Sequence, residues 1–287
     1  MPVNRGEMGP WLETFAVALL AVTGVGLGLW FSRRPKPYWL LGYFIPLVLV
    51  VCYAAAARKP ALSLVPPISW LVMGRNKFAS IAVIATMVLT TPLSRIKPVR
   101  ARALISILMG LVVIQMSLWP FLAPAFNRAH LAGLITQIDG NGICRQSNDY
   151  DCGPAAAVTA LRKLGFPAEE GQIAIWAHTS SATGTPPDIL AQTLQNHYGR
   201  QGLTSEYRVF KDWNDLKKGG GLTLVVIRYT FWVDHYLTVL EVADDHILAG
   251  DPSRGLVWLS KEDFLAQWRF VGVVLKRHGD LQPVTAV

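Results

Sequence analysis

The stretch Gln146-Ser147-Asn148-Asp149-Tyr150-Asp151-Cys152-Gly153-Pro154 decides how the second half of this chain folds. Pro154 has no N–H to donate, and its φ is fixed near the helical value. It therefore suits the first turn of a helix, where N–H groups lack intrahelical partners in any case. The stretch is expected to open a helix at Cys152 that runs to Leu164. A cysteine in that place sits among free N–H groups at the positive end of the helix dipole, which favours thiolate over thiol. Gly153 leaves room for another segment to approach. Gln146, six residues before Cys152, can bring a side-chain amide to the oxyanion of a tetrahedral intermediate. The plainer alternatives are a buried, inert cysteine at a helix start and a glutamine on a surface loop.

Downstream of this helix the pattern alternates between helical and extended runs. Helices are expected at 169–177, at 187–198 and in a short piece near 211–217. Strand-like runs follow at 222–228, 236–242, 246–250 and 255–259. Ser260-Lys261-Glu262-Asp263 reads as a capping box with Asp in place of Glu, opening a helix through Trp268, and 270–276 reads as a closing strand. Helices first and an antiparallel sheet second make an α+β domain. His235 stands at the mouth of a strand, where the sheet can hold it facing a cleft. Asp251 ends the run Ile247-Leu248-Ala249-Gly250 and precedes Pro252. A carboxylate there can accept the imidazole N–H and hold the productive tautomer. Taken singly, each is also an ordinary loop histidine or an Asp-Pro turn. Together they give the order Cys, His, Asp, which is nucleophile, base and orienter in a thiol protease. The other histidines, His130, His178, His197, His246 and His278, have weaker settings.

Upstream the composition changes. Only 16% of all residues are charged and 52% are hydrophobic, a shortage of charge that points to lipid. Residues 1–127 hold twelve Lys/Arg and two acids, Glu7 and Glu13, whereas 128–287 hold fifteen and seventeen. The basic residues form short clusters between apolar runs, as in membrane loops, and not the continuous basic face that nucleic acid requires. Four runs are apolar and long enough, or nearly so, to cross a bilayer: 11–31, 39–57, 78–93 and 103–126. The first is read as an anchor and not as a cleaved signal peptide, since Trp30-Phe31 occupies the cleavage region and further spans follow. A fifth apolar piece, 61–73, carries Pro66 and Pro67 and is too short to cross unaided. Lys and Arg divide six against seven between the two sides of a four-span arrangement, which sets no orientation. The expected organisation is an all-α transmembrane region at 1–127 and a separate domain at 128–287. Cys52 lies within an apolar run and is expected to be a packed residue.

The second half resembles the bacteriocin-processing cysteine peptidases, which remove double-glycine leader peptides and are usually fused to ABC exporters. The resemblance covers 142–276. It rests on Gln146 through Gly153, on His235-Tyr236 before an apolar strand, and on Asp251-Pro252. Gly255-Leu256-Val257-Trp258-Leu259-Ser260-Lys261-Glu262-Asp263-Phe264 and Trp268 fit the closing pattern. It implies a papain-like fold, with Cys152 as nucleophile, His235 as base, Asp251 as orienter and Gln146 as oxyanion donor. It also implies a peptide or protein substrate, no cofactor or metal, and residence in a bacterial cell membrane. Two features depart from the family. The peptidase-like domain follows the spans instead of preceding them, and the chain contains no Gly-x-x-x-x-Gly-Lys-Ser/Thr loop. Any export role therefore needs a separate ABC exporter. Two other functions are compatible with parts of this pattern. One is a non-catalytic peptide-binding module, against which the four filled positions argue. The other is a papain-like acyl transferase or amidase, which shares the acyl-enzyme.

Overall fold

The computed structural model describes residues 5–58, 62, 65, 67–68, 71, 75–229 and 233–278. It divides into two compact units, Met1–Phe126 and Asn127–Val287.

The first unit is helical. Its elements are α1 (Arg5–Ser32), a 3₁₀ turn Tyr38–Tyr43 leading into α2 (Phe44–Arg58), α3 (Asn76–Thr90), and α4 (Val99–Val113). A π turn, Ile114–Leu118, joins α4 to α5 (Trp119–Ala132). Among the described residues, four helical stretches are long and apolar enough to cross a membrane: Pro10–Ser32, Tyr38–Ala56, Asn76–Arg95 and Val99–Ala132. Two pairs fix how α1 and α3 run. Glu13, early in α1, forms an ion pair with Arg75, which precedes α3. Ser32, at the end of α1, accepts at its carbonyl from the Ser94 hydroxyl, just past α3, at 3.0 Å. The helices are therefore parallel, and α2 is the return between them. Most of 61–73 lies outside the described residues. Trp11 meets the Phe126 ring edge-on at 6.1 Å, so the unit's last helix returns to the end where α1 begins.

Close approach of α1 and α3 depends on Gly24 and Gly28, one turn apart. A Cβ on Gly24 would fall 2.1 Å from the Thr86 hydroxyl, and one on Gly28 1.9 Å from that of Thr90. Neither hydroxyl turns away cheaply, because each donates to the carbonyl one turn back, at 2.6 Å and 2.5 Å. Small residues that let helix backbones meet are the usual means of helix association in lipid. Gly26, with nothing within 4 Å of its Cβ position, is the internal control. Gly28→Ala is expected to destabilise the unit by about 1–3 kcal/mol through overpacking. Gly26→Ala should be neutral or gain up to about 1 kcal/mol of helix propensity. Thermal denaturation of both variants in one detergent measures the difference, and equal Tm values would refute the close-packing account.

The second unit begins with a short hairpin, β1 (Gln137–Ile138) and β2 (Cys144–Arg145). The helices α6 (Cys152–Lys163), α7 (Glu170–Trp176) and α8 (Pro187–Tyr198) follow. Then come β3 (Leu203–Val209), α9 (Trp213–Lys218), β4 (Leu222–Arg228), β5 (Asp234–Val242), β6 (His246–Asp251), β7 (Gly255–Ser260), α10 (Lys261–Gln267) and β8 (Trp268–Arg277). The six long strands form one antiparallel sheet in the order β3-β8-β4-β5-β6-β7. The sheet is covered on both faces, which is why 224–227 of β4 is an unbroken apolar run. Leu224 and Val226 pack with the α6 alanines, while Val225 and Ile227 face Trp213, Phe264 and Trp268. Ala155, Ala156, Ala157 and Ala160 bring α6 close to the sheet, where the Thr238 hydroxyl donates to the Ala156 carbonyl at 2.9 Å. The Ser260 hydroxyl caps α10, accepting the Asp263 N–H at 3.1 Å and donating to its carboxylate at 2.7 Å. The strand β3 has no counterpart in the sequence reading, and β5 begins two residues earlier than expected, so that His235 lies inside the sheet.

Candidate active site

Cys152 is the first residue of α6, with Asp151 as N-cap. Packing at Gly153 is tight. A Cβ there would meet Thr185 at 3.1 Å and the Tyr236 ring at 3.2 Å, and the Tyr236 hydroxyl donates to the Thr185 carbonyl at 2.8 Å. The segment around Thr185 is thereby fixed beside the start of α6, which leaves Cys152 half-buried.

The sheet supplies the other two side chains. In the β5–β6 register Thr238 pairs with Gly250, which sets the opening residues of β5 beside the end of β6. His235 Nε2 and Asp251 Oδ1 lie 2.9 Å apart, and both residues are buried. Asp251 Oδ1 also accepts from the Ser253 N–H at 2.8 Å, the Ser253 hydroxyl at 2.7 Å and the Arg254 N–H at 3.3 Å. Its Oδ2 accepts from Arg254 Nε at 2.6 Å. Burial alone would raise this carboxyl's pKa, but the bonds from His235, Ser253 and Arg254 hold it well below the usual carboxylate range. Burial likewise works against charge on His235. Its hydrogen bonds with Asp251 and with Cys152, together with the charges of both, outweigh that and raise the imidazole from 6.5 to about 9. The arrangement therefore favours an imidazolium at neutral pH beside the Cys152 sulfur.

Gln146 lies in the loop before α6. Its N–H donates to the Pro252 carbonyl at 3.0 Å, which ties this loop to the residue after Asp251. Its side-chain amide donates to the Asn148 carbonyl at 2.9 Å, which occupies one of two N–H groups, and its Oε1 is buried without a partner. Of the four residues singled out from sequence, His235 and Asp251 share a hydrogen bond, Cys152 is close enough to raise the imidazole's pKa, and Gln146 is tied by its backbone to the turn after Asp251. Ser253 and Arg254 were not singled out. The signal available was Asp251-Pro252-Ser253, in which an Asp can bond the backbone two residues on. Cys144 is fully buried, and burial pushes its thiol up to about 12, with the Glu170 charge adding to the effect. Among the described residues no three His, Cys, Asp or Glu side chains converge as a metal site.

A helix with cysteine at its N-terminus, laid on an antiparallel sheet that carries a buried His–Asp pair, is the architecture of papain-like cysteine peptidases. Within that class, residues 141–279 match the model of the Peptidase C39 family, and this unit has the fold of that family. Over 138 residues, 48% of this chain and 90% of the other, the sequence is 29% identical to an uncharacterized protein of Methanothermobacter marburgensis. It is 27% identical to one of Methanothermobacter thermautotrophicus over 129 residues, 45% of this chain and 84% of that protein. Among solved structures it is similar to a double glycine motif protease from an AMS/PCAT transporter in complex with the leader peptide. That match has a TM-score of 0.41 and 16% identity, and covers 50% of this chain and 99% of the other. It is also similar to the peptidase domain of Streptococcus ComA, a bi-functional ABC transporter involved in a quorum sensing pathway. Here the TM-score is 0.39 and the identity 20%, covering 47% of this chain and 96% of that one.

Proposed function

We propose that this protein is a membrane-anchored cysteine peptidase, with residues 1–127 as the transmembrane region and 128–287 as the peptidase domain. Cys152 is the nucleophile, His235 the base and Asp251 the orienter. The Cys152 thiolate attacks the scissile carbonyl. His235 gives its proton to the leaving amine and then activates the water that releases the acyl group. The Cys152 N–H and the Gln146 amide stabilise the oxyanion. The observation that carries this reading is the buried His235–Asp251 pair at 2.9 Å, together with Cys152 at the N-terminus of α6.

The substrate class follows from the resemblance at Gln146–Gly153, His235-Tyr236 and Asp251-Pro252: leader peptides of the double-glycine type. A separate ABC exporter is the partner that would take the released product. The test is the full-length chain in detergent with a synthetic leader peptide that continues several residues past its Gly-Gly, followed by mass spectrometry. Cleavage after the second glycine is expected. His235→Ala should slow it by about 10²–10⁴, the usual share of a general acid–base. An intact peptide, under conditions where iodoacetamide alkylates Cys152, would leave a binding module as the better reading.

A further inference from the structure

Two buried carboxyl groups stand directly behind the Cys152 loop, and the chemistry assigned above uses neither. Asp151 and Glu170 are both fully buried. Asp151 is the N-cap of α6, yet its side chain makes no capping bond to that helix. It turns back and accepts from the Asn148 N–H at 2.9 Å and from the Asn148 side-chain amide at 2.8 Å. Glu170, the first residue of α7, accepts from the Ser147 N–H at 2.9 Å and the Ser147 hydroxyl at 2.7 Å. Its own N–H donates to the Thr136 hydroxyl at 2.9 Å. The two acids also hydrogen-bond to each other. A hydrogen bond between two carboxyl groups needs one proton, so one member is an acid while the other is a carboxylate. Between them they hold Ser147 and Asn148, the middle of the loop that joins Gln146 to Cys152. The Asn148 carbonyl in turn receives the Gln146 amide at 2.9 Å.

We propose that Asp151 and Glu170 act as one singly protonated acid pair that fixes the 146–152 loop, and through it the Gln146 amide, where it stabilises the oxyanion. They are positioning residues, and the oxyanion part rests on the peptidase reading of this site. An apolar residue in either place would remove the acceptors that hold the Ser147 or Asn148 donors, and with them the brace on the loop. A second negative charge would set two carboxylates against each other in a buried space. The groups facing the pair are His130 and Tyr150 toward Asp151, Cys144 toward Glu170, and the Arg162–Glu169 ion pair nearby. Burial pushes Glu170 from 4.5 to about 7, with neighbouring Asp151 adding to the shift against the Ser147 bonds. The pair therefore loses its shared proton near neutrality, before His235 titrates near 9. Because the folded pKa is raised, the native state binds the extra proton. Stability from the pair is complete below pH 4.5 and is lost as pH rises to about 7.

The experiment uses the full-length chain in detergent. It measures kcat and KM on a Gly-Gly leader peptide, and Tm, from about pH 5 to about pH 9.5. The variants are Glu170→Gln, Glu170→Ala, Gln146→Ala and the double variant Gln146→Ala/Glu170→Ala. Wild-type kcat should fall in two alkaline steps, near 7 and near 9. Glu170→Gln stays neutral and keeps a Ser147 acceptor, so it should lose the first step and retain the second. Its Tm should lack the wild type's decline between about pH 5 and pH 7.5. Glu170→Ala should lower kcat about tenfold or more with KM within about twofold, and should cost nothing further on top of Gln146→Ala. Identical pH profiles and Tm trends for wild type and Glu170→Gln would overturn the pair, and additivity with Gln146→Ala would overturn its action through that amide. A wild type that leaves the peptide intact overturns the peptidase reading and the oxyanion role with it. In that event, a Tm gap to Glu170→Gln that opens above pH 5 still upholds the shared proton.

Discussion

Cys152→Ala is expected to abolish peptide hydrolysis, whereas Cys144→Ala and Cys52→Ala should retain most of it. Removing a catalytic nucleophile costs on the order of 10⁶ in kcat. The three cysteines are separated by environment. Cys144 is fully buried with its thiol pushed up to about 12, so it presents almost no thiolate near neutral pH. Cys52 is half-buried within the apolar helix α2. Cys152 alone has an imidazole partner and a helix N-terminus. Iodoacetamide should therefore alkylate Cys152 first, and His235→Ala should slow that alkylation because the imidazolium beside the sulfur is lost. The measurement is mass-spectrometric mapping of the alkylated peptide beside residual activity. Labelling that falls first on Cys144, with hydrolysis intact, would remove Cys152 from its role.

The second large effect is expected at Asp251. Its carboxylate receives hydrogen bonds from His235, Ser253 and Arg254, the last on the second oxygen. Asp251→Asn keeps the size but replaces one acceptor oxygen with an NH₂ group. If the remaining oxygen faces His235, the NH₂ opposes Arg254 Nε–H; if it faces Arg254, the NH₂ opposes the imidazole. The lost charge also no longer supports the imidazolium. The alkaline limb that His235 sets near 9 should therefore move to lower pH. In the serine-protease triad the comparable change costs about 10⁴ in kcat. A thiol depends less on this partner, so a loss of roughly 10–10² is expected for Asn and a larger one for Ala, both short of His235→Ala. On the acid side, the depressed carboxyl contributes stability above its ordinary 3.8 that is lost as pH falls. The Asn variant should lack that acid-side decline. kcat/KM for the three variants across about pH 5 to 9.5, with Tm followed down to about pH 2, decides the matter. An Asp251→Ala variant equal to wild type throughout would reduce the site to Cys152 and His235.

Where local chemistry sets an element, the sequence was sufficient. Pro187–Tyr198 and Leu222–Arg228 have the expected bounds, and Ser260 caps α10 as its spacing to Asp263 requires. Where a partner far along the chain sets the outcome, it was not. The strand β3 was missed because it borders only β8 and one of its two buried positions is the polar Ser205, so its apolar alternation is weak. The boundary at Trp268 was misplaced because its indole is buried against Phe210 and Phe264, and β8 therefore starts there and not at Phe270. Asp251 read equally as a turn residue and as the partner of His235, and it is both. Glu170 gave no signal, since its bond to Ser147 spans 23 residues and depends on how α7 is placed. Gly24 and Gly28 were not singled out either, since their contact with Thr86 and Thr90 depends on the packing of α1 on α3.

That packing bears on how proteins of this kind are assembled from parts. Because α1 and α3 are parallel and Trp11 meets Phe126, the chain enters and leaves the helical unit at one end. An insert with this property returns whatever follows it to the side on which the chain began. In a bilayer such a unit would act as a cassette that can be joined to another module, or lost from it, without exchanging that module's compartment. A cassette with an odd number of crossings lacks that freedom, since its addition or loss carries everything downstream to the opposite face of the bilayer.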